Sequence, residues 1–218
     1  MKKTAFAIFA HPDDESFGPG GTIALLAKTH NVYLLCATKG EAGEDHSEGT
    51  DELPIKREKE LRAAAKILGI QNVFFLGFVD GELKNNNYHA VAQKIEELAN
   101  TYKPELFLTY ENRGISGHMD HVAISLISSY VFHKLAFIKE IHYFCLDQEQ
   151  RGIGQTYFVY FPPGYPENEI SRRVDIRSVL QQKIAAIKEH KSQIKDVEVM
   201  LQKHKEKRIE ECFIIVKK

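Results

Sequence analysis

Thr4-Ala5-Phe6-Ala7-Ile8-Phe9-Ala10-His11-Pro12-Asp13-Asp14-Glu15 sets an apolar run directly against a histidine and three carboxylates. An unbroken run from Thr4 to Ala10, without polar alternation, reads as a buried strand. The carboxylates at its end repel one another and resist desolvation, and a bound cation is the simplest way to hold them there. A helix N-terminus, which favours acids in any case, is the bland alternative; His11 beside them tips the balance towards metal.

Outward from this stretch, strands and helices alternate. A helix starts at Gly20-Gly21-Thr22 and runs to about Thr29. Val32 to Thr38 reads as a second strand. Leu53 to Gly69 reads as a helix with Leu61, Ala64, Ala65 and Leu68 on one face and Gly69 as its stop. Val73 to Leu76 follows as a strand, Tyr88 to Tyr102 as a helix ended before Pro104, and Leu106 to Tyr110 as a fourth strand. A helix follows His118, and Ile141 to Leu146 is a fifth strand. Further on, Tyr157 to Phe161 reads as a strand, Pro162 to Pro166 as a loop, Ile176 to His190 and Val197 to Lys207 as helices, and Cys212 to Val216 as the closing strand.

The expectation is one α/β domain, residues 1–218, with a three-layer Rossmann-like fold and a mostly parallel sheet in the order 3-2-1-4-5. That order sets the loop after Ala10 beside the loop after Tyr110, across the crevice where such sheets bind ligands. The second loop reads Gly117-His118-Met119-Asp120-His121, and its histidines, three apart at a helix start, share a face. Such a pair alone is a weak signal; two such motifs meeting in one crevice are a strong one. Two imidazoles and one carboxylate form the ligand set of a catalytic zinc with an open position, and they also suit ferrous iron. Gly18-Pro19-Gly20-Gly21 lacks the lysine of a phosphate-binding loop.

With 29 basic and 30 acidic side chains the 218-residue chain has a formal charge of −1. That balance gives no electrostatic reason to expect nucleic acid or anionic membrane as a partner. Cys36, Cys145 and Cys212 form no CxxC pair and read as reduced core thiols of a cytoplasmic protein. Charge interrupts the short apolar stretch behind Met1-Lys2-Lys3, so no secretion signal is expected. No run approaches the roughly 18 apolar residues of a membrane span. The sequence leaves open whether the chain forms a homo-oligomer.

His11-Pro12-Asp13-Asp14-Glu15 with the later His118-x-Asp120-His121 closely resembles the PIG-L/LmbE family of zinc-dependent N-deacetylases. The likeness continues in Thr38-x-Gly40-Glu41-x-Gly43, Arg57-x-x-Glu60, Ala64, Leu68-Gly69, Asp80-Gly81, Pro104 and His190-x-Ser192-Gln193, and so covers nearly the whole chain. It implies an LmbE-like fold and one zinc per chain, with iron or another divalent metal as the alternative. It further implies removal of an N-acetyl group from a small N-acetylglucosamine (GlcNAc) conjugate, such as GlcNAc-malate or GlcNAc-inositol, by zinc-activated water. The membrane-anchored branch acting on GlcNAc-phosphatidylinositol is not expected, because no anchor helix is read. By resemblance His11, Asp14 and His121 hold the metal, Asp13 is the general base, His118 steadies the oxyanion or protonates the leaving amine, and Asp120 orients and charges His118. Arg57, Asp80 and His190 are expected to meet substrate. Their alternatives are a salt bridge to Glu60 or Glu52, a turn before Gly81, and a helix C-terminus. Glu15 supports the site or caps a helix, and Tyr110, Asn112 and Arg113 are candidate substrate contacts. An amidase acting on a larger amino-sugar conjugate, and a silent sugar- or metal-binding protein, are the competing functions.

Overall fold

Strand β1 (Lys3–Phe9) lies between two parallel neighbours, β2 (His30–Cys36) and β4 (Leu106–Tyr110), and is buried from Ala5 onward. With helices covering both faces, none of its side chains from Ala5 onward reaches water, hence the unbroken apolar run. The computed structural model describes residues 2–47, 49–149, 160–205 and 209–218. β3 (Asn72–Phe75) and β5 (Glu140–Cys145) extend the parallel sheet, and β7 (Glu210–Lys217) and β6 (Arg172–Asp175) close it antiparallel. The order is β3-β2-β1-β4-β5-β7-β6. The expected 3-2-1-4-5 is present and carries two further strands.

No strand was expected at β6. It has four residues, two of them arginines, and only partial burial, so it carries no apolar run by which a sequence could announce it. The strand expected over Tyr157 to Phe161 falls, at residues 157–159, outside the described residues. The helix expected from Ile176 to His190 is shorter: a 3-10 turn precedes α7 (Leu180–Ile187). The next helix, α8 (Ile194–Lys205), starts earlier than expected.

The crossovers set α2 (Gly20–Thr29) and α3 (Leu53–Leu68) on one face of the sheet and α4 (Tyr88–Tyr102) and α6 (Met119–Lys134) on the other. α7 packs on α2 and α3, whereas α4 packs on α6. Phe6, Phe9, Phe107 and Phe213 are fully buried in the core between these layers, each worth roughly 1.5–3 kcal/mol on the apolar-transfer scale. The loops after β1 and β4 emerge side by side, because the chain reverses direction between those strands. Short helices α1 (Asp14–Phe17) and α5 (Gly114–Gly117) lie within them. Among the described residues no helix is long and apolar enough to cross a membrane.

The far end of the chain is fastened to this frame by a buried ion pair. Glu211 accepts the backbone N–H groups of Gly21 (2.9 Å) and Thr22 (2.7 Å) at the start of α2. Lys183 Nζ donates to the same carboxylate (2.7 Å) and to the carbonyl of Gly18 (2.6 Å).

Candidate metal centre

The backbone turns sharply after Pro12. Asp13 has φ 113° and ψ −30°, a region L-residues avoid, at a cost of about 1–3 kcal/mol. Its carbonyl accepts the N–H groups of Ser16 and Phe17, starting α1, and its own N–H donates to Glu15 Oε2 (3.1 Å). Arg57 clamps the strained turn: Nη2 donates to the Pro12 carbonyl (2.6 Å) and to Asp13 Oδ2 (2.8 Å), and Nη1 to the Gly40 carbonyl (2.9 Å). Gly40, at φ 68°, lies so close to the guanidinium that a Cβ would fall 2.3 Å from its carbon. The Thr38-x-Gly40-Glu41-x-Gly43 stretch is thus the cradle of Arg57. Arg57, expected at the substrate, is buried behind Asp13 instead; its Nη1 and Nη2 groups find acceptors in the chain itself.

Three donor groups converge in front of this turn. His11 Nδ1 and His121 Nε2 face each other at 3.1 Å, and Asp14 oxygens lie 3.3 Å from His121 Nε2 and 3.6 Å from His11 Nδ1. A tetrahedral ion with bonds of about 2.0–2.1 Å needs ligand atoms about 3.3 Å apart. The opposite ring nitrogens are committed elsewhere: His121 Nδ1 faces the Gly114 carbonyl (3.1 Å), and His11 Nε2 faces Asp80 Oδ1 (2.8 Å) and Asp120 Oδ2 (3.4 Å). Each ring therefore donates away from the centre and turns a lone pair into it, the tautomers a metal requires. Something positive has to stand between those lone pairs.

The charges agree. Burial opposes a charged His11, but Asp120, Asp80 and Asp14 outweigh it and raise its pKa to about 10. Burial, with His11 and His118 nearby, drives His121 down to about 4, so it stays neutral. Asp14 is held ionised against its burial by His121, His11, the Tyr110 hydroxyl and the backbone N–H of His11. Burial raises Asp13 to about 7 although Arg57 pulls it down.

His118 also comes near, its ring centroid 4.8 Å from that of His11 and 4.9 Å from that of His121. It caps α6, its Nδ1 accepting the backbone N–H of Asp120 (3.2 Å). Asp120 was expected to orient and charge this ring. Its carboxylate turns instead to His11 and to the N–H groups of Gly81 (2.8 Å) and Leu83 (3.2 Å), because two residues into a helix only the backbone faces the cap. Burial and His11 accordingly hold His118 below the ordinary imidazole value. Asp80, expected at sugar hydroxyls, lies against His11 and accepts the Ala42 N–H (3.2 Å). Its 2.8 Å contact with His11 is a hydrogen bond, so His11, Asp80 and Asp120 form the shell behind a ligand rather than a second metal site.

His190, also expected at the substrate, is 1% exposed and paired with the fully buried Glu15 (3.0 Å). Burial opposes its charge, and Glu15 and Asp13 still raise it. Ser192 meanwhile donates its N–H and hydroxyl to Glu60 of α3 (2.7 Å each). The carboxyl-terminal motif therefore braces the loop from behind.

Two residues escaped the sequence argument as supports. Tyr110 stacks on His121 (4.2 Å, 6°) and accepts the Ala10 N–H (3.1 Å). Glu111 accepts from Arg113, from the Ile115 N–H (3.0 Å) and from Tyr165 (2.7 Å), holding Gly114 and Ile115 at positive φ. Gly114 can present its carbonyl to His121 because a Cβ there would lie 2.8 Å from His121 Cβ.

A family model described as PIG-L, GlcNAc-PI de-N-acetylase, matches residues 6–131, which hold both motifs. The chain is 28% identical to the 1D-myo-inositol 2-acetamido-2-deoxy-alpha-D-glucopyranoside deacetylase of Salinispora arenicola over 87% of this chain and 75% of that one. It is 34% identical to the probable N-acetyl-alpha-D-glucosaminyl L-malate deacetylase 2 of Bacillus cereus, over 56% of this chain and 58% of that one. Among solved structures, the 4-carboxy-2-hydroxymuconate hydratase of Pseudomonas putida shares the fold, with TM-score 0.72, 20% identity, and coverage of 98% of this chain and 96% of that one. One fold thus serves more than one reaction, and the chemistry has to be argued from the site.

Proposed function

The chain belongs to the PIG-L family, and on that premise we propose that it removes the N-acetyl group of a small GlcNAc conjugate at one metal ion held by His11, Asp14 and His121. The observation that carries this is the convergence of His11 Nδ1 and His121 Nε2, 3.1 Å apart, on the Asp14 carboxylate, whose Oδ2 lies 3.6 Å from the first and Oδ1 3.3 Å from the second. Zinc fits the donor set, which ferrous iron would share. When bound, such an ion polarises the acyl oxygen and brings the pKa of water down to about 7.

The surrounding residues divide the remaining work. Asp13, fixed by Arg57, takes the proton of the attacking water and hands it to the leaving nitrogen; a base poised near neutrality is suited to both transfers. His118 acts as a neutral donor: with Nδ1 accepting from Asp120, the ring proton sits on Nε2 and is available to the developing oxyanion. This replaces the protonated imidazole expected from the sequence. Asp80 holds His11 in its ligand tautomer rather than touching sugar, and Asp120 does so rather than charging His118. The three free, buried cysteines support a cytoplasmic location.

The test measures amine release from methyl, inositol and malate conjugates of GlcNAc alongside metal content. Metal-dependent release from at least one conjugate is expected. Protein that holds stoichiometric metal and binds these sugars without turning over any of them would favour a silent binding protein.

A further inference from the structure

β1 parts from β4 before either strand ends. The two are paired from Ala5 to Ala7, opposite Leu106 to Leu108, whereas β1 runs on to Phe9 and β4 to Tyr110. On its other side β1 stays paired with β2 past its own end, where the Thr38 N–H reaches the Ala10 carbonyl (3.0 Å). The sheet therefore opens on one side only, at the switch point. An open ladder leaves buried backbone groups in need of partners. Two buried side chains of β4 supply them: Thr109 Oγ1 donates to the Ile8 carbonyl (2.8 Å), and the Tyr110 hydroxyl accepts the Ala10 N–H (3.1 Å).

The two hydroxyls differ in what else they reach. The Thr109 contact stays within the strands, whereas Tyr110 goes on to every arm of the candidate centre. The Ala10 N–H that it accepts fixes the backbone one residue before His11. A hydroxyl that accepts one bond still has a proton to give, and the Asp14 carboxylate lies against it as acceptor. The ring lies flat on the His121 imidazole, with centroids 4.2 Å apart and planes within 6°. A phenol offers an electron-rich face, which favours an imidazole that shares the charge of a cation.

We propose that Tyr110 is a positioning residue: hydroxyl and ring together hold His11, Asp14 and His121 in register before a metal arrives, and so set the affinity of the centre for zinc. The proposal rests on the metal reading given above. Zinc affinity is therefore measured apart from turnover, and against a control in the same strand opening.

Zinc is titrated into the metal-free protein in competition with a chromophoric chelator, and the thermal midpoint of each metal-free protein is recorded alongside. Tyr110→Phe keeps the ring and loses the hydroxyl. Tyr110→Leu loses both. The zinc Kd should rise about tenfold in the first and about 100-fold in the second, the span expected for groups that orient a metal ligand. Thr109→Val removes the other hydroxyl of the opening. It should lower the thermal midpoint, as Tyr110→Phe does, and leave zinc affinity at the native value. The comparison of Tyr110→Phe with Thr109→Val carries the decision even if Tyr110→Leu does not fold. Native zinc affinity in Tyr110→Phe overturns the proposal and leaves the centre itself in place. So does a Thr109→Val variant that weakens zinc as much as Tyr110→Phe, because the strand opening and not the contacts of Tyr110 would then govern the metal. A native protein that takes up no zinc overturns the metal reading and the proposal with it.

Discussion

Lys183 and Glu211 are each 2% exposed, and His11 and Asp120 are 8% and 1% exposed, so by burial alone the two ionic clusters are alike. They differ in what completes them. Glu211 finds its donors within the chain, in Lys183, Gly21 and Thr22, and Lys183 also donates to Gly18. At the candidate metal centre Asp80 and Asp120 face the outer nitrogen of His11, Gly114 that of His121, and Tyr110 and the His11 N–H lie against Asp14. The inner atoms face one another. A buried charge cluster that supplies its own counter-charge reads as structure; one whose lone pairs converge reads as a ligand cage.

The contrast makes the two clusters fail in different ways. The largest effect is expected from Asp13→Asn, which removes the proton acceptor without touching a ligand. Turnover should fall roughly 100- to 10,000-fold with metal retained, by the usual scale of general-base loss. Near-native kcat at full metal occupancy would assign the base elsewhere. Lys183→Met strikes the self-satisfied cluster and leaves Glu211 buried without its cation. It should cost about 3–5 kcal/mol of stability, read as a lowered thermal midpoint, with metal stoichiometry unchanged in the folded fraction. Loss of metal before unfolding would show that the two clusters are coupled.

His118→Ala comes next. It should keep the metal and lower kcat roughly 100- to 1,000-fold, the scale for one oxyanion donor, whereas a fall in metal content would make His118 a ligand. The smallest effect is expected at Asp80→Asn, which weakens the hydrogen bond behind His11. Metal affinity should drop by about 10- to 100-fold with KM for sugar little changed. A rise in KM alone would restore Asp80 to the substrate.

The parallel strands were legible because burial on both faces writes unbroken apolar runs such as Thr4 to Ala10. The meeting of His11, Asp14 and His121 was legible because strand order alone brings their loops together. What lay beyond sequence was direction. Arg57, Asp80 and His190 belong to motifs that surround the site, but a motif does not say which atom a side chain faces, and all three point at protein. The Lys183–Glu211 pair left no signal, since its members lie on separate elements and resemble surface charges. β6 escaped for a similar reason: its arginines look like loop.

The central claim is that His11, Asp14 and His121, and no other trio, hold one ion. Metal content by mass spectrometry, measured on the purified native protein and on His11→Ala, Asp14→Ala, His121→Ala and His118→Ala after reconstitution with zinc, tests it most directly. One zinc per chain is expected in the native protein and in His118→Ala, with loss of stoichiometric zinc in the other three. Stoichiometric zinc retained in Asp14→Ala, or lost from His118→Ala, would contradict the account.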